Sequence, residues 1–266
     1  MTYKDFEIID FHTHPFKSAD QNICAHKECF EMSAESTKKT FDDLGVSVIC
    51  GSVLAVQNVR SSFQNTWEML KYCNDIALEL KEYYGDFYVP GFHVHPDYID
   101  ESLAEMERMD KLGIKLIGEL CPYICDWKDY SCEGFSVLLD EAEKRDMIVS
   151  FHSMGEDEMD AMVKAHPGVK FVAAHPGEYK NFVRHLERAK FSDNYYIDLS
   201  GYGIFRHGML RHAIDDLGVD KILFGSDYST CNPAMYIGGV LLDDLITDEE
   251  KEKIFSTNAK KLLNLK

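Results

Sequence analysis

Near its amino terminus the chain reads Ile8-Ile9-Asp10-Phe11-His12-Thr13-His14, an apolar run that passes directly into two histidines. Short apolar, β-branched runs of this kind recur to the end of the chain. Longer amphipathic stretches separate them, with apolar residues three or four positions apart as in helices. The eight predicted strands are residues 8–11, 46–50, 87–92, 114–118, 148–151, 170–174, 195–199 and 222–225.

Eight strands that alternate with helices over about 250 residues are what a (β/α)8 TIM barrel requires, and near-continuous apolar strands fit a sheet covered on both faces. A doubly wound open sheet is the alternative. It usually carries a Gly-rich phosphate-binding turn after an early strand, and no G-x-G-x-x-G occurs here. Because no linker or composition break interrupts the pattern, we predict one domain over residues 1–266. Closing helices are expected within residues 247–265, where Thr247 and Glu250 are spaced as a capping box.

Composition restricts the class of protein. The 266 residues carry a formal charge of −18, which disfavours binding to the phosphates of nucleic acid. The longest uncharged stretch, residues 44–59, contains several polar residues and falls short of the roughly 18 apolar residues of a membrane span. Acidic side chains near the amino terminus do not fit a signal peptide. We therefore expect a cytoplasmic protein whose partner is a small molecule rather than nucleic acid or a membrane, and self-association into a homo-oligomer stays open.

Eight cysteines occur at irregular spacing. Without an export signal we expect reduced thiols rather than disulfides. The tightest group, Cys121, Cys125 and Cys132, has no C-x-x-C pair, so we expect these residues to be small apolar filler rather than a metal site.

Polar side chains that can bind metal follow the predicted strands. The carboxyl ends of barrel strands converge on one mouth, and residues two apart in an extended segment point to the same side. Imidazoles and carboxylates are the ligands of zinc where thiolates are absent. The sequence therefore predicts a metal site at the barrel mouth, and for His93 and His95 after strand 3 a strand-capping role is favoured. The candidate ligands are His12, His14, Glu119, His152, His175 and Asp227.

Several motifs resemble the amidohydrolase superfamily, most closely its amidohydrolase-2 branch, which includes decarboxylases similar to aminocarboxymuconate-semialdehyde decarboxylase. They are His12-Thr13-His14, His152, His175-Pro176-Gly177, Phe224-Gly225-Ser226-Asp227 and the ending over residues 258–263. The resemblance implies a (β/α)8 barrel with a divalent metal, commonly zinc. The residues that would hold it are His12, His14, His152 and Asp227. In that pattern His175 lies beside the metal and polarises a group or transfers a proton.

Glu119 departs from the pattern of many superfamily members, which carry a carboxylated lysine after strand 4. Its position resembles the bridging glutamate of TatD-type deoxyribonucleases. Two metal ions are then feasible, with His12, His14 and Asp227 on one and the remaining two histidines on the other. In the alternative, one ion is bound, and Glu119 orients a ligand histidine without contacting the metal itself.

Hydrolysis of an amide, ester or lactone-like bond is the first functional hypothesis. A bound divalent cation lowers the pKa of its water molecule toward about 7. Asp227 is placed to take the proton of the attacking water, and His175 can stabilise the developing oxyanion or donate a proton.

Metal-dependent, non-oxidative decarboxylation of a small carboxylic acid, which could be aromatic, is the alternative. It needs a cation to hold the substrate carboxylate, and Arg60 after strand 2 and Arg206 after strand 7 are the candidates. The hypothesis of a TatD-like nuclease rests on Glu119 alone and conflicts with the net charge of −18. A catalytically idle barrel is expected to lose at least one ligand, whereas all of them are present.

Overall fold

The computed structural model describes residues 2–21, 31–54, 62–202 and 206–266. Within these ranges eight parallel strands form one sheet in chain order. They are β1 Ile8–Asp10, β2 Val46–Gly51, β3 Tyr88–Phe92, β4 Leu116–Leu120, β5 Ile148–His152, β6 Lys170–Ala174, β7 Tyr195–Asp198 and β8 Ile222–Leu223. The predicted strands are therefore all present.

The first and last strands meet and close the sheet. The backbone N–H of Phe11 donates to the carbonyl of Phe224 at 2.8 Å, and the N–H of Asp227 donates to the carbonyl of His12 at 2.9 Å. Thr13 and Tyr228 add a parallel bridge. With helices between the strands, this is the predicted (β/α)8 barrel.

Helices follow the strands and cover the outside of the barrel. They are α1 Ala34–Asp43, α2 Thr66–Tyr84, α3 Ile99–Lys111, α4 Pro122–Cys125, α5 Glu133–Lys144, α6 Glu156–Ala165, α7 Tyr179–Arg188, α8 Met209–Leu217, α9 Pro233–Leu241, α10 Asp248–Glu252 and α11 Asn258–Leu263. In the part of the chain that the structure describes, none of the helices is long and apolar enough to cross a membrane.

The C-terminal segment closes the end of the barrel opposite its mouth. Apolar side chains near the starts of the strands form one buried cluster with Ala259 and Leu262 of α11; among them are Ile9, Leu116, Ile148, Val172 and Leu223. The predicted capping box is confirmed at the start of α10, where Thr247 Oγ1 accepts from the N–H of Glu250 and Glu250 Oε2 accepts from the N–H of Thr247.

Two strands, β4 and β8, differ from the prediction by two residues at an end, and the others differ by at most one. The N–H of Ile114 bonds to the carbonyl of Met109 at the end of α3, so β4 begins only at Leu116 and Glu119 lies inside the strand rather than after it. β8 ends at Leu223, because the N–H of Phe224 donates to the carbonyl of Ile254 in the C-terminal segment.

Asn258 anchors α11 to the barrel. Its Nδ2 donates to the carbonyls of Val219 and Ile222, both at 2.8 Å. We expect Asn258→Ala to lower the free energy of unfolding by about 1–3 kcal/mol, since it removes both of these hydrogen bonds. Urea unfolding measures this, and Lys261→Ala, an exposed change on the same helix, should stay within about 0.5 kcal/mol of wild type. Equal stability of the two variants would contradict the anchoring role.

Candidate metal centre

The six candidate ligands predicted from the sequence meet at the carboxyl-terminal mouth of the barrel. His12 and His14 follow β1, Glu119 lies in β4, His152 ends β5, His175 follows β6 and Asp227 follows β8. Their donor atoms form three groups, within each of which all atoms lie within 4.8 Å of one another. These groups are His12, His14 and Glu119; His12, His175 and Asp227; and Glu119, His152 and His175.

Glu119 stands between two pairs of histidines. Its Oε2 lies 3.5 Å from His12 Nε2 and 3.3 Å from His14 Nε2. Its Oε1 lies 2.9 Å from His152 Nδ1 and 3.2 Å from His175 Nε2. Each carboxylate oxygen therefore faces a different pair. We call the space around the first pair the His12 position and the space around the second pair the His175 position.

Asp227 completes the His12 position. Its Oδ1 lies 3.8 Å from His12 Nε2 and 3.5 Å from His14 Nε2. The His12 position is thus surrounded by two imidazole nitrogens and oxygens from two carboxylates, which is a four-donor set of the kind that zinc and similar divalent ions bind.

The hydrogen bonds behind the first pair direct both Nε2 atoms into the centre. His12 Nδ1 lies 2.8 Å from Asp198 Oδ2, and His14 Nδ1 lies 3.0 Å from the carbonyl of Ser52. Both partners only accept, so each neutral ring carries its proton on Nδ1. The two Nε2 atoms then present lone pairs to each other at 3.2 Å, with carboxylates beside them. Such an arrangement needs a positive charge between the donors, which is either a proton on one ring or a metal ion.

The charges around Glu119 keep this buried carboxylate ionised. Burial by itself raises the pKa of Glu119, which is 3% exposed, but the facing rings of His12, His175 and His152 lower it well below its usual range. Burial lowers the pKa of His12, and the carboxylates of Asp198 and Glu119 outweigh that effect and raise it well above its ordinary value. Glu119 is therefore ionised and pairs with a protonated His12 when no metal is bound, and a divalent cation at the His12 position would displace that proton.

Unusual backbone conformations direct three of these side chains. His175 and Asp227 have φ values of 59° and 61°, in the left-handed region that residues other than glycine rarely adopt. Gly118, directly before Glu119, has φ of 92°, and a Cβ there would lie 2.1 Å from the carbonyl oxygen of Ser150. Only glycine fits at this point, which lets Glu119 reach the mouth.

Sequence reasoning missed several residues that contact the centre. Asp198 and Ser200 lie behind His12 and His175, and Cys121 Sγ lies 3.2 Å from Glu119 Oε2. Asp198 is a charged residue in an otherwise apolar strand, which is a signal that could have found it. Ser52 contributes only a backbone carbonyl and leaves no signal in the sequence.

The cysteines form no metal site among the described residues, because none of the three candidate ligand groups contains one. The six described cysteines form no disulfide with one another. Burial, together with the Glu119 carboxylate, raises the pKa of Cys121 well above its usual value, so this thiol stays protonated.

His93 and His95 lie outside the centre and hold neighbouring backbone. His93 Nε2 lies 2.9 Å from the carbonyl of Val53, and His95 Nε2 lies 2.9 Å from the carbonyl of Cys125. The interpretation of these histidines as structural residues therefore fits the geometry better than a ligand role.

A pocket of about 750 Å³ opens from the centre to solvent. Beyond the candidate ligands its wall includes Tyr123, Tyr202, Glu156, Glu178 and Asn181. No lysine or arginine is among the described residues that line it.

The two arginines predicted to bind substrate are not seen at the centre. Arg206 is exposed and forms an ion pair with Glu178, its Nε lying 3.0 Å from Glu178 Oε2. Arg60 lies outside the described residues. Their roles in substrate binding stay predictions.

Solved structures share this fold over nearly the whole chain. 2,6-Dihydroxybenzoate decarboxylase from Rhizobium is 15% identical, with 98% of this chain and 99% of that chain covered and a TM-score of 0.72. A dihydroxybenzoic acid decarboxylase from Polaromonas, with bound manganese and the inhibitor 2-nitroresorcinol, is 13% identical, with coverages of 98% and 97% and a TM-score of 0.71. A putative amidohydrolase from Staphylococcus aureus is 18% identical, with coverages of 98% and 100% and a TM-score of 0.72.

Sequence comparison identifies the family directly. No curated protein matches the chain in sequence. The family model described as amidohydrolase matches residues 9–265, which include every candidate ligand. The chain therefore belongs to the amidohydrolase-2 family.

Proposed function

We propose that the protein is a metal-dependent hydrolase that holds two divalent ions and cleaves an amide, ester or lactone-like bond of a small molecule. Zinc is the metal that we expect. The observation that carries this proposal is the position of Glu119, whose two oxygens face two separate histidine pairs at 2.9 to 3.5 Å. One carboxylate between two sets of nitrogen donors is suited to bridging two cations.

The chain's own residues divide the work at this centre. Divalent ions bound there would lower the pKa of a water molecule and polarise the oxygen of the bond to be cleaved. Asp227 lines the pocket and directs Oδ1 into the centre, so it can accept the proton of the attacking water and pass it to the leaving group. We assign His175, together with His152, to the binding of the second ion, because its Nε2 lies 3.2 Å from Glu119 Oε1.

Decarboxylation is the second candidate, because two of the similar structures are decarboxylases of dihydroxybenzoates. We rank decarboxylation below hydrolysis because of the charges of the side chains that line the pocket. The lining glutamates Glu156 and Glu178 are already paired with Arg188 and Arg206, and the described lining residues supply no cation for a substrate carboxylate apart from the metal positions. Arg60 is the one predicted cation that the structure does not place. A neutral or basic substrate suits this pocket better than an anionic one.

Assays of the zinc-loaded and manganese-loaded protein separate the two candidates. We expect hydrolysis of members of a panel of small esters, amides and lactones, loss of this activity with a chelator, and recovery on adding the metal back. The same preparations should release no CO2 from dihydroxybenzoates. Metal-dependent CO2 release without hydrolysis of any panel member would overturn the proposal in favour of decarboxylation.

A further inference from the structure

Asp198 and Ser200, at the end of β7, lie behind the centre rather than in the pocket. Both are fully buried, and neither is among the residues that line the pocket. We infer that they form one hydrogen-bond relay that fixes the tautomer of a histidine at each metal position, His12 at one and His175 at the other. The inference rests on the proposed two-ion centre and makes these two side chains positioning residues.

The first half of the relay is the contact between Asp198 and His12. Asp198 Oδ2 accepts from His12 Nδ1 at 2.8 Å. An ionised carboxylate cannot donate, so the ring must keep its proton on Nδ1. His12 Nε2, which faces His14 and Glu119, is thereby held free to bind a cation.

The second half passes through Ser200. Its hydroxyl donates to Asp198 Oδ1, and its backbone N–H donates to the same oxygen at 2.9 Å. Because the hydroxyl proton is committed to Asp198, the lone pairs of Ser200 Oγ are left to accept from His175 Nδ1 at 3.1 Å. His175 Nε2 is then free toward Glu119 Oε1. The same Oγ also lies 3.1 Å from His12 Nδ1.

Gly201 shows how closely this backbone holds His175. A Cβ at Gly201 would lie 2.1 Å from His175 Nδ1, and its φ of 60° already favours glycine. The missing side chain at Gly201 therefore lets the backbone after Ser200 lie against the Nδ1 edge of the ring, and any other residue there would displace His175.

The two substitutions should act on different ion positions. Ser200→Ala removes the acceptor of His175 Nδ1 and leaves Asp198 beside His12. In Asp198→Asn the side-chain oxygen should take the Oδ1 place, where two Ser200 donors point. Its NH2 group then faces His12 Nδ1 as a donor and moves the ring proton to Nε2, so His12 can no longer bind metal there.

Zinc titration by calorimetry, with ¹⁵N NMR of the histidine rings in the zinc-loaded protein, tests the relay. We expect each variant to lose about 10–100-fold in affinity for one of the two equivalents and to keep the other within about twofold. The NMR spectra should show a changed protonation pattern of His175 in Ser200→Ala and of His12 in Asp198→Asn. Ser192→Ala removes a buried hydroxyl that bonds the Pro167 carbonyl instead, so it should match wild type.

The outcomes separate the relay from the proposed function. Wild type that binds two equivalents, together with variants that keep both affinities and both ring patterns, would overturn the relay and leave the hydrolase proposal standing. Wild type that binds fewer than two equivalents would overturn the two-ion centre itself. If Asp198→Asn fails to fold, Ser200→Ala alone must still weaken one equivalent and change His175.

Discussion

His12→Ala/His14→Ala is expected to lose the ion of the His12 position completely and to hydrolyse no panel substrate above the chelated wild type. The two Nε2 atoms lie 3.2 Å apart, and both face Asp227 Oδ1 and Glu119 Oε2. Removing both takes half of a four-donor set and leaves two mutually repelling carboxylates. Equilibrium dialysis with elemental analysis should therefore find at most one equivalent.

A control with the same number of histidines removed should behave as wild type. His207 is exposed and His212 is partly exposed on the outside of the barrel, so His207→Ala/His212→Ala should keep both equivalents. Two tightly held equivalents in the His12→Ala/His14→Ala protein would show that the metal binds somewhere else.

Asp227→Asn is expected to fold normally and to lower kcat by about 10²–10⁴. The amide keeps the shape of the side chain but removes its charge and its ability to take a proton from water. Asp227, whose Oδ1 lies 3.5 Å from His14 Nε2, is the carboxylate that we propose accepts this proton. Steady-state kinetics at saturating metal isolates the loss from any weakening of metal affinity.

Asp244→Asn, an exposed change outside the pocket, is the matched control and should leave kcat within about twofold of wild type. A near wild-type kcat for Asp227→Asn at saturating metal would remove Asp227 from the proton transfer.

The barrel could be predicted from the sequence because each strand is an apolar run between helices. Its candidate ligands could be predicted because residues at the carboxyl ends of parallel strands share one mouth. The start of β4 could not be predicted, because the N–H of Ile114 bonds to the carbonyl of Met109 in the turn after α3. That competition between a helix end and a strand start depends on backbone geometry.

The arrangement within the centre needed the structure. Glu119 was seen as a carboxylate near the ligands, but only the fold shows that its two oxygens face different histidine pairs. Asp198 stood in the sequence as an acidic residue in an apolar strand, and its partner His12 lies 186 positions away. Such a contact follows from barrel closure rather than from local pattern.

Metal stoichiometry of wild type and Glu119→Gln tests the two-ion centre most directly. Elemental analysis after dialysis against buffered zinc should give two equivalents for wild type and one for the variant, because a neutral amide cannot offset the repulsion of two dications a few ångströms apart. Glu105→Gln, at a buried glutamate that pairs with Arg108 away from the centre, should keep two. One equivalent in both wild type and Glu119→Gln, with affinity alone reduced in the variant, would show that Glu119 only orients histidines around a single ion and would contradict the two-ion account.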